Sequence, residues 1–145
     1  RRRAGLPARD GRPGRARIEE GLDVGEAPPV DPEALALAHR IVDLAADKKA
    51  SDIVLLDIHA LTSVADYLVI CSGGSERQLD AIADGIVGPL RDEKTKPFGR
   101  EGTPISHWVL LDYGSVVVHI LTPPERDYYG LEKHWAEAKT ILRVQ

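Results

Sequence analysis

The stretch HWVLLDYGSVVVHIL, residues 107–121, constrains this chain more than any other. Two strongly β-forming runs flank a Tyr113-Gly114 pair. Glycine tolerates the positive φ that a tight hairpin turn demands, so the spacing predicts two antiparallel strands with Asp112 opposite Ser115. That register sets Leu110 against Val117 and Trp108 against His119. Because side chains alternate, Val109, Leu111, Val116, Val118 and Ile120 share one aliphatic face. The other face carries Trp108, Leu110, Asp112, Ser115, Val117 and His119. One face is core. The other is a candidate recognition surface.

A chain of 145 residues suits one globular domain with a core of useful size. Its single cysteine excludes an internal disulfide and fits a reducing, cytoplasmic setting. No apolar run approaches the length of a membrane span. Charge is uneven. Residues 1–30 carry seven arginines against five acidic residues, and the remaining chain carries 12 Lys plus Arg against 18 acidic residues. Such an acidic domain disfavours nucleic-acid binding over its broad surface and favours a basic protein partner.

Residues 1–30 are rich in Arg, Gly and Pro and read as a disordered tail. A nucleic-acid arm, a transit peptide and an upstream extension are the alternatives. The domain is expected over residues 31–138, with 139–145 as a C-terminal tail. Asp31-Pro32 marks a helix start, followed by the stripe Ala34, Leu37, Ala38, Ile41, Leu44 and Ala45. Residues 53–58 and 66–71 read as interior strands, apolar on both faces. Ser75 and Gln78 suggest a capping box opening a second helix, which Pro89 should kink or end near Gly88. A polar stretch over 91–106 holds a short extended piece at 97–100. A last helix is expected over 125–138. The order points to an α/β (α+β) fold, a mixed sheet covered by helices.

Residue chemistry for catalysis is sparse. Gly73-Gly74-Ser75, where a strand meets a helix, suits phosphate binding, yet it lacks both the P-loop lysine and the dinucleotide fingerprint. A nucleotidyltransferase-like enzyme using Gly74 and Ser75 would need an Asp-x-Asp pair on the next strand, and none follows. Asp57 and His59 share a strand face without an identifiable third metal ligand. Cys71 ends an apolar strand with no activating neighbour. No Ser, His and acid set stands out. The expectation is a protein that is not an enzyme and has no cofactor and no metal.

Trp108 weighs differently. The opposite face already supplies five aliphatic residues, and a layer mixing Trp, Leu, Asp and His suits the centre of an interface. Tyr128 and Tyr129 follow closely enough to extend the patch. Alternation by itself leaves core and partner surface equally open for Trp108.

Several runs resemble one family. They are Asp52-Ile53-Val54-Leu55-Leu56-Asp57, Leu61-Thr62-Ser63-Val64-Ala65-Asp66-Tyr67, Ser75-Glu76-Arg77-Gln78, Ala81-Ile82-Ala83-Asp84 and Arg100-Glu101-Gly102. The hairpin and Tyr128-Tyr129-Gly130-Leu131-Glu132 with Trp135 complete the set. Over about residues 33–137 they resemble the RsfS, or Iojap, family of ribosomal silencing factors. The resemblance implies a nucleotidyltransferase-like fold without catalytic carboxylates. It also implies a translation repressor that binds the large ribosomal subunit through its fourteenth ribosomal protein, blocking joining of the small subunit when nutrients are scarce. Carried over, the partner surface comprises Trp108, Leu110, Asp112 and Tyr113, with Tyr128 and Tyr129, and the first three point outward. Ser115 departs from the Asp found in many relatives and removes a possible acidic contact.

Overall fold

The computed structural model describes residues 31–145, so the expected tail over 1–30 lies outside the described residues. Helix α1, Pro32–Asp47, starts where Asp31 accepts the Glu33 amide at 2.9 Å, as its capping sequence requires. Strands β1, Ser51–Asp57, and β2, Tyr67–Ser72, form an antiparallel pair. Helix α2, Glu76–Asp92, leads to β3, Gly99–Thr103, and then to a 3-10 turn at Pro104–Ser106. Strands β4, Trp108–Asp112, and β5, Val116–Leu121, make the hairpin. Two short helices, α3, Pro123–Tyr129, and α4, Leu131–His134, precede β6, Lys139–Val144.

The six strands form one mixed sheet in the order β3-β4-β5-β2-β1-β6. Only β2 and β5 run parallel, and the other pairs are antiparallel. The fold class is therefore α+β, a mixed sheet covered by helices. Both faces are apolar. On one, Ile53, Leu55, Tyr67, Val69, Cys71 and the aliphatic hairpin set pack beneath α1 and α2. On the other, Val54, Leu56, Leu68, Ile70, Trp108, Leu110, Val117 and Leu121 lie under Leu131, Trp135 and residues of the β1–β2 loop. Two cores therefore sandwich one sheet, and its central strands have no solvent-facing side.

Four expectations are corrected. The hairpin register slips by two residues: Leu110 faces His119, Trp108 faces Leu121, and Asp112 faces Val117. The turn centres on Gly114 at φ +82°, with the Ser115 amide donating to the Tyr113 carbonyl at 3.1 Å. Because the slip is even, every side chain keeps its face. Helix α2 does not end near Gly88 but runs through Pro89 to Asp92, because fully buried Leu90 anchors its last turn and the proline costs only one bond there. The expected helix over 125–138 breaks at Gly130, whose φ of +58° ends α3 in a left-handed cap. The expected C-terminal tail is strand β6, paired antiparallel to β1 from Ile53↔Val144 to Asp57↔Lys139.

Candidate partner-binding surface

Trp108 opens β4, and the structure places its side chain under the second layer with no solvent exposure. Its indole Nε1–H donates to His119 Nδ1 at 2.9 Å, which puts the imidazole proton on Nε2. The Tyr129 ring lies 4.6 Å from the indole centroid, tilted by 47°. Tyr128 meets Tyr129 edge-on, at 5.0 Å and 90°. The three rings form a stack running from core to solvent: Trp108 is enclosed, Tyr129 is half-buried, and Tyr128 is 79% exposed. Both tyrosines sit on the last turn of α3, which Gly130 terminates, so the backbone turns away just past the exposed ring.

The outward orientation expected for Trp108, Leu110 and Asp112 does not hold. All three are buried, because α3, α4 and the β1–β2 loop cover the face that alternation left open. Leu110 sits between Glu101 of β3 and His119 of β5. Asp112 accepts the Gly114 amide at 2.7 Å and so fixes the hairpin turn. Tyr113 is also buried, in the first layer, and its hydroxyl meets no hydrogen-bond partner among the described residues. Burial pushes that phenol up to about 12, against a smaller opposing effect of the Arg91 cation. Of the six predicted residues the structure brings Trp108, Tyr128 and Tyr129 together and presents only Tyr128 fully to solvent.

A second constellation fastens α3 and α4 to the sheet. Arg126 is nearly enclosed. It donates through Nε to Glu132 at 2.7 Å, and through one terminal nitrogen to the Asp52 carbonyl at 2.7 Å and Ser72 Oγ at 3.0 Å. Arg143 of β6 bridges Asp52 at 2.5 Å and Glu132 at 3.2 Å. Asp52 reaches these cations from a bulge in β1, where its φ is +46°. The Arg126 guanidinium holds the Glu132 carboxyl below its usual range, with Arg143 adding to the effect. Sequence reasoning missed this clamp because its members lie on five different elements.

The remaining candidates are occupied by local structure. Ser75 Oγ accepts the Gln78 amide at 3.1 Å, and Gln78 Oε1 accepts the Gly74 amide at 2.7 Å. Both groups therefore serve the start of α2. Asp57 Oδ1 contacts His59 Nδ1 at 2.5 Å, and the described residues hold no cluster of three metal-ligating side chains. Cys71 is fully buried, and desolvation raises its thiol to about 12, far from a nucleophile's range. No helix among the described residues is long and apolar enough to cross a membrane. Phe98 and Ile105, at 60% and 78% exposure, are outward apolar residues that periodicity did not flag.

The family model described as "Ribosomal silencing factor during starvation" matches residues 31–145, which is the entire described domain. The chain belongs to this family. It is 40% identical over 109 residues to the ribosomal silencing factor RsfS of Halalkalibacterium halodurans, covering 75% of this chain and 91% of that one. A mouse protein named mitochondrial assembly of ribosomal large subunit protein 1 is 34% identical over 98 residues, covering 66% of this chain and 43% of its own length. A crystal structure of a Chromobacterium violaceum protein superposes with a TM-score of 0.69 at 34% identity, covering 71% and 86% of the two chains.

Proposed function

We propose that this RsfS-family chain is a cytoplasmic translation repressor that works by occupation rather than turnover. It binds the large ribosomal subunit and sterically prevents the small subunit from joining when nutrients are limiting. The partner on that subunit is its fourteenth ribosomal protein, as the family resemblance implies.

The observation that carries the reading is the aromatic stack ending in Tyr128. A tyrosine exposed to this degree, yet backed by Tyr129 and Trp108, presents a preorganised apolar anchor with little side-chain freedom left to lose. Asp127 beside it in the chain is also exposed, an acidic neighbour suited to a basic protein. Trp108, Leu110, Asp112 and Tyr113 then support the surface from beneath instead of touching the partner. The name of the mouse relative is consistent with a large-subunit target.

Co-sedimentation of the full chain with separated ribosomal subunits tests the proposal. The chain is expected in the large-subunit fraction alone, and light scattering should show slower subunit association in its presence. Tyr128→Ala should weaken large-subunit binding by roughly 5- to 30-fold, the loss of about 1–2 kcal/mol typical of an interfacial tyrosine, while leaving the domain folded. Equal partition of the wild-type chain between subunits, or unimpeded subunit joining at saturation, refutes the proposal.

A further inference from the structure

Strands β2 and β5 run parallel and end together, with Ser72 opposite Leu121. Beyond that point their connections part. The chain leaving β2 enters α2, whose Leu79 and Ile82 pack on the sheet face beneath α1 and α2. The chain leaving β5 enters α3, whose Tyr129 packs on the opposite face. Connections that diverge in this way open a crevice at the carboxyl ends of the strands, where ligands commonly sit in open α/β sheets. Here the crevice is a cavity of about 500 Å³, lined by residues 74–77 and 122–124 together with His107.

The polar groups around this cavity are unevenly used. Gly74 and Ser75 are committed to Gln78, as described above. The first-turn amides of Glu76 and Arg77 have no intrahelical acceptor, and they stand at the positive end of a 17-residue helix. Arg77 is exposed and forms no ion pair among the described residues. Thr122 supplies an independent sign. It lines the cavity at only 7% exposure, and although it is the N-cap of α3 its hydroxyl makes no capping bond and has no other partner among the described residues. Buried hydroxyls are normally hydrogen-bonded, so this one is a donor in want of an acceptor.

Backbone amides, a guanidinium and a hydroxyl around one cavity suit an anion with several acceptor oxygens. Glu76 weighs against it, since its carboxylate springs from the same turn. That side chain is 54% exposed, however, and leans to His107 Nε2 at 3.4 Å. Pro123 and Pro124 are exposed on the other wall. Their rings carry no N–H and offer an apolar surface instead.

We propose that this cavity binds a small phosphate ester without chemical change. The Glu76 and Arg77 amides, the Arg77 guanidinium and the Thr122 hydroxyl hold the phosphate, and the organic part rests on Pro123 and Pro124. The assignment does not depend on large-subunit binding, and the Tyr128 anchor lies toward the other end of α3.

The test uses three probes, adenosine 5′-monophosphate, inorganic phosphate and adenosine. Each is titrated into the full nitrogen-15-labelled chain in phosphate-free buffer, and amide chemical shifts are followed. The monophosphate should bind saturably, move the Glu76 and Arg77 amides most, and bind more tightly than inorganic phosphate. Adenosine should not bind. Arg77→Ala should weaken monophosphate binding roughly tenfold and Thr122→Val roughly 3- to 10-fold, losses typical of charged and neutral hydrogen bonds, and Thr122→Ser should retain it. Glu76→Gln should tighten binding several-fold, because it removes a repelling carboxylate. Arg77 and Glu76 are exposed, so both variants should keep the wild-type circular dichroism.

A wild-type chain that shows no saturable monophosphate binding overturns the proposal. So do shifts confined to residues 1–30, which would assign the affinity to that Arg-rich segment. Equal binding of adenosine would place recognition on the base, and equal binding of inorganic phosphate would remove the role of the two prolines; either result refutes the assignment. Unchanged affinity in Arg77→Ala and Glu76→Gln refutes it as well.

Discussion

Truncating Trp108 to alanine should unfold the domain rather than merely release a partner. The indole is fully buried between the sheet and Tyr129, and replacing such a side chain with alanine costs about 3–5 kcal/mol in lost transfer energy and cavity. The change also strips His119 Nδ1 of its donor at 2.9 Å, a loss of about 1–3 kcal/mol where water cannot substitute. Together these reach about 4–8 kcal/mol, comparable with the whole stability of a domain this size, about 5–15 kcal/mol. Trp108→Phe keeps most of the apolar volume and loses mainly the hydrogen bond, so about 1–3 kcal/mol is expected. Urea unfolding followed by far-ultraviolet circular dichroism measures both. At about 1–3 kcal/mol per molar urea, the phenylalanine variant should shift its midpoint by roughly 1 M, and the alanine variant should show little or no native baseline. A Trp108→Ala domain with a midpoint near wild type would refute the reasoning, because it would mean the indole is not part of the core. Paired with Tyr128→Ala, the series separates support from contact. Trp108→Phe should keep large-subunit binding near wild type, and Tyr128→Ala should lose binding without losing stability.

Tyr113→Phe removes a buried hydroxyl that has no partner among the described residues, so it should be neutral or stabilising by about 1 kcal/mol in the same urea assay. The Glu132 carboxyl is held below its usual value in the folded state, so its contribution is present above the unfolded carboxylate range and is lost as pH falls through the folded value. Acid unfolding should therefore be less steep in Glu132→Gln over that acidic window, and an unchanged profile would show that the Arg126 pairing carries no linkage. Cys71, buried with its thiol raised to about 12, should resist iodoacetamide at neutral pH in the native chain and react readily in 8 M urea, as mass spectrometry would record.

Much of the fold was legible because its signals are local. Asp31-Pro32 and the Ala34 to Ala45 stripe read correctly from a few neighbouring residues, and of the expected Ser75-Gln78 box the Ser75 half forms, with the Gln78 side chain accepting from Gly74 instead. The faces of the hairpin were legible even with the wrong register, since parity survives a two-residue slip. What failed depended on distant partners. Alternation separates two faces but cannot say what covers them, and α3 and α4 decide that Trp108 and Leu110 are core. Gly130 lies inside an apolar pattern at helical spacing, and only its left-handed φ marks the break. Strand β6 reads as polar because Lys139, Thr140 and Arg143 face solvent, while Ile141, Leu142 and Val144 are only partly covered. The candidate surface was half visible: the tyrosine pair stood out, but which ring emerges depends on how a seven-residue helix docks.

The return of β6 to β1 also governs how the chain can acquire its shape during synthesis. Leu55 pairs with Leu142, and Ile53 with Val144, across most of the domain. The parallel join of β2 to β5 likewise awaits Val116 to Leu121. A partly made chain can form α1 and the β1–β2 hairpin early, but Ile53 to Leu56 then present an apolar strand with an open edge. Until β6 emerges, that edge is a ready template for a neighbouring nascent chain. A chain ending before Lys139 should accordingly be found in aggregates, for want of the six-residue strand whose polar composition gives no hint of that role.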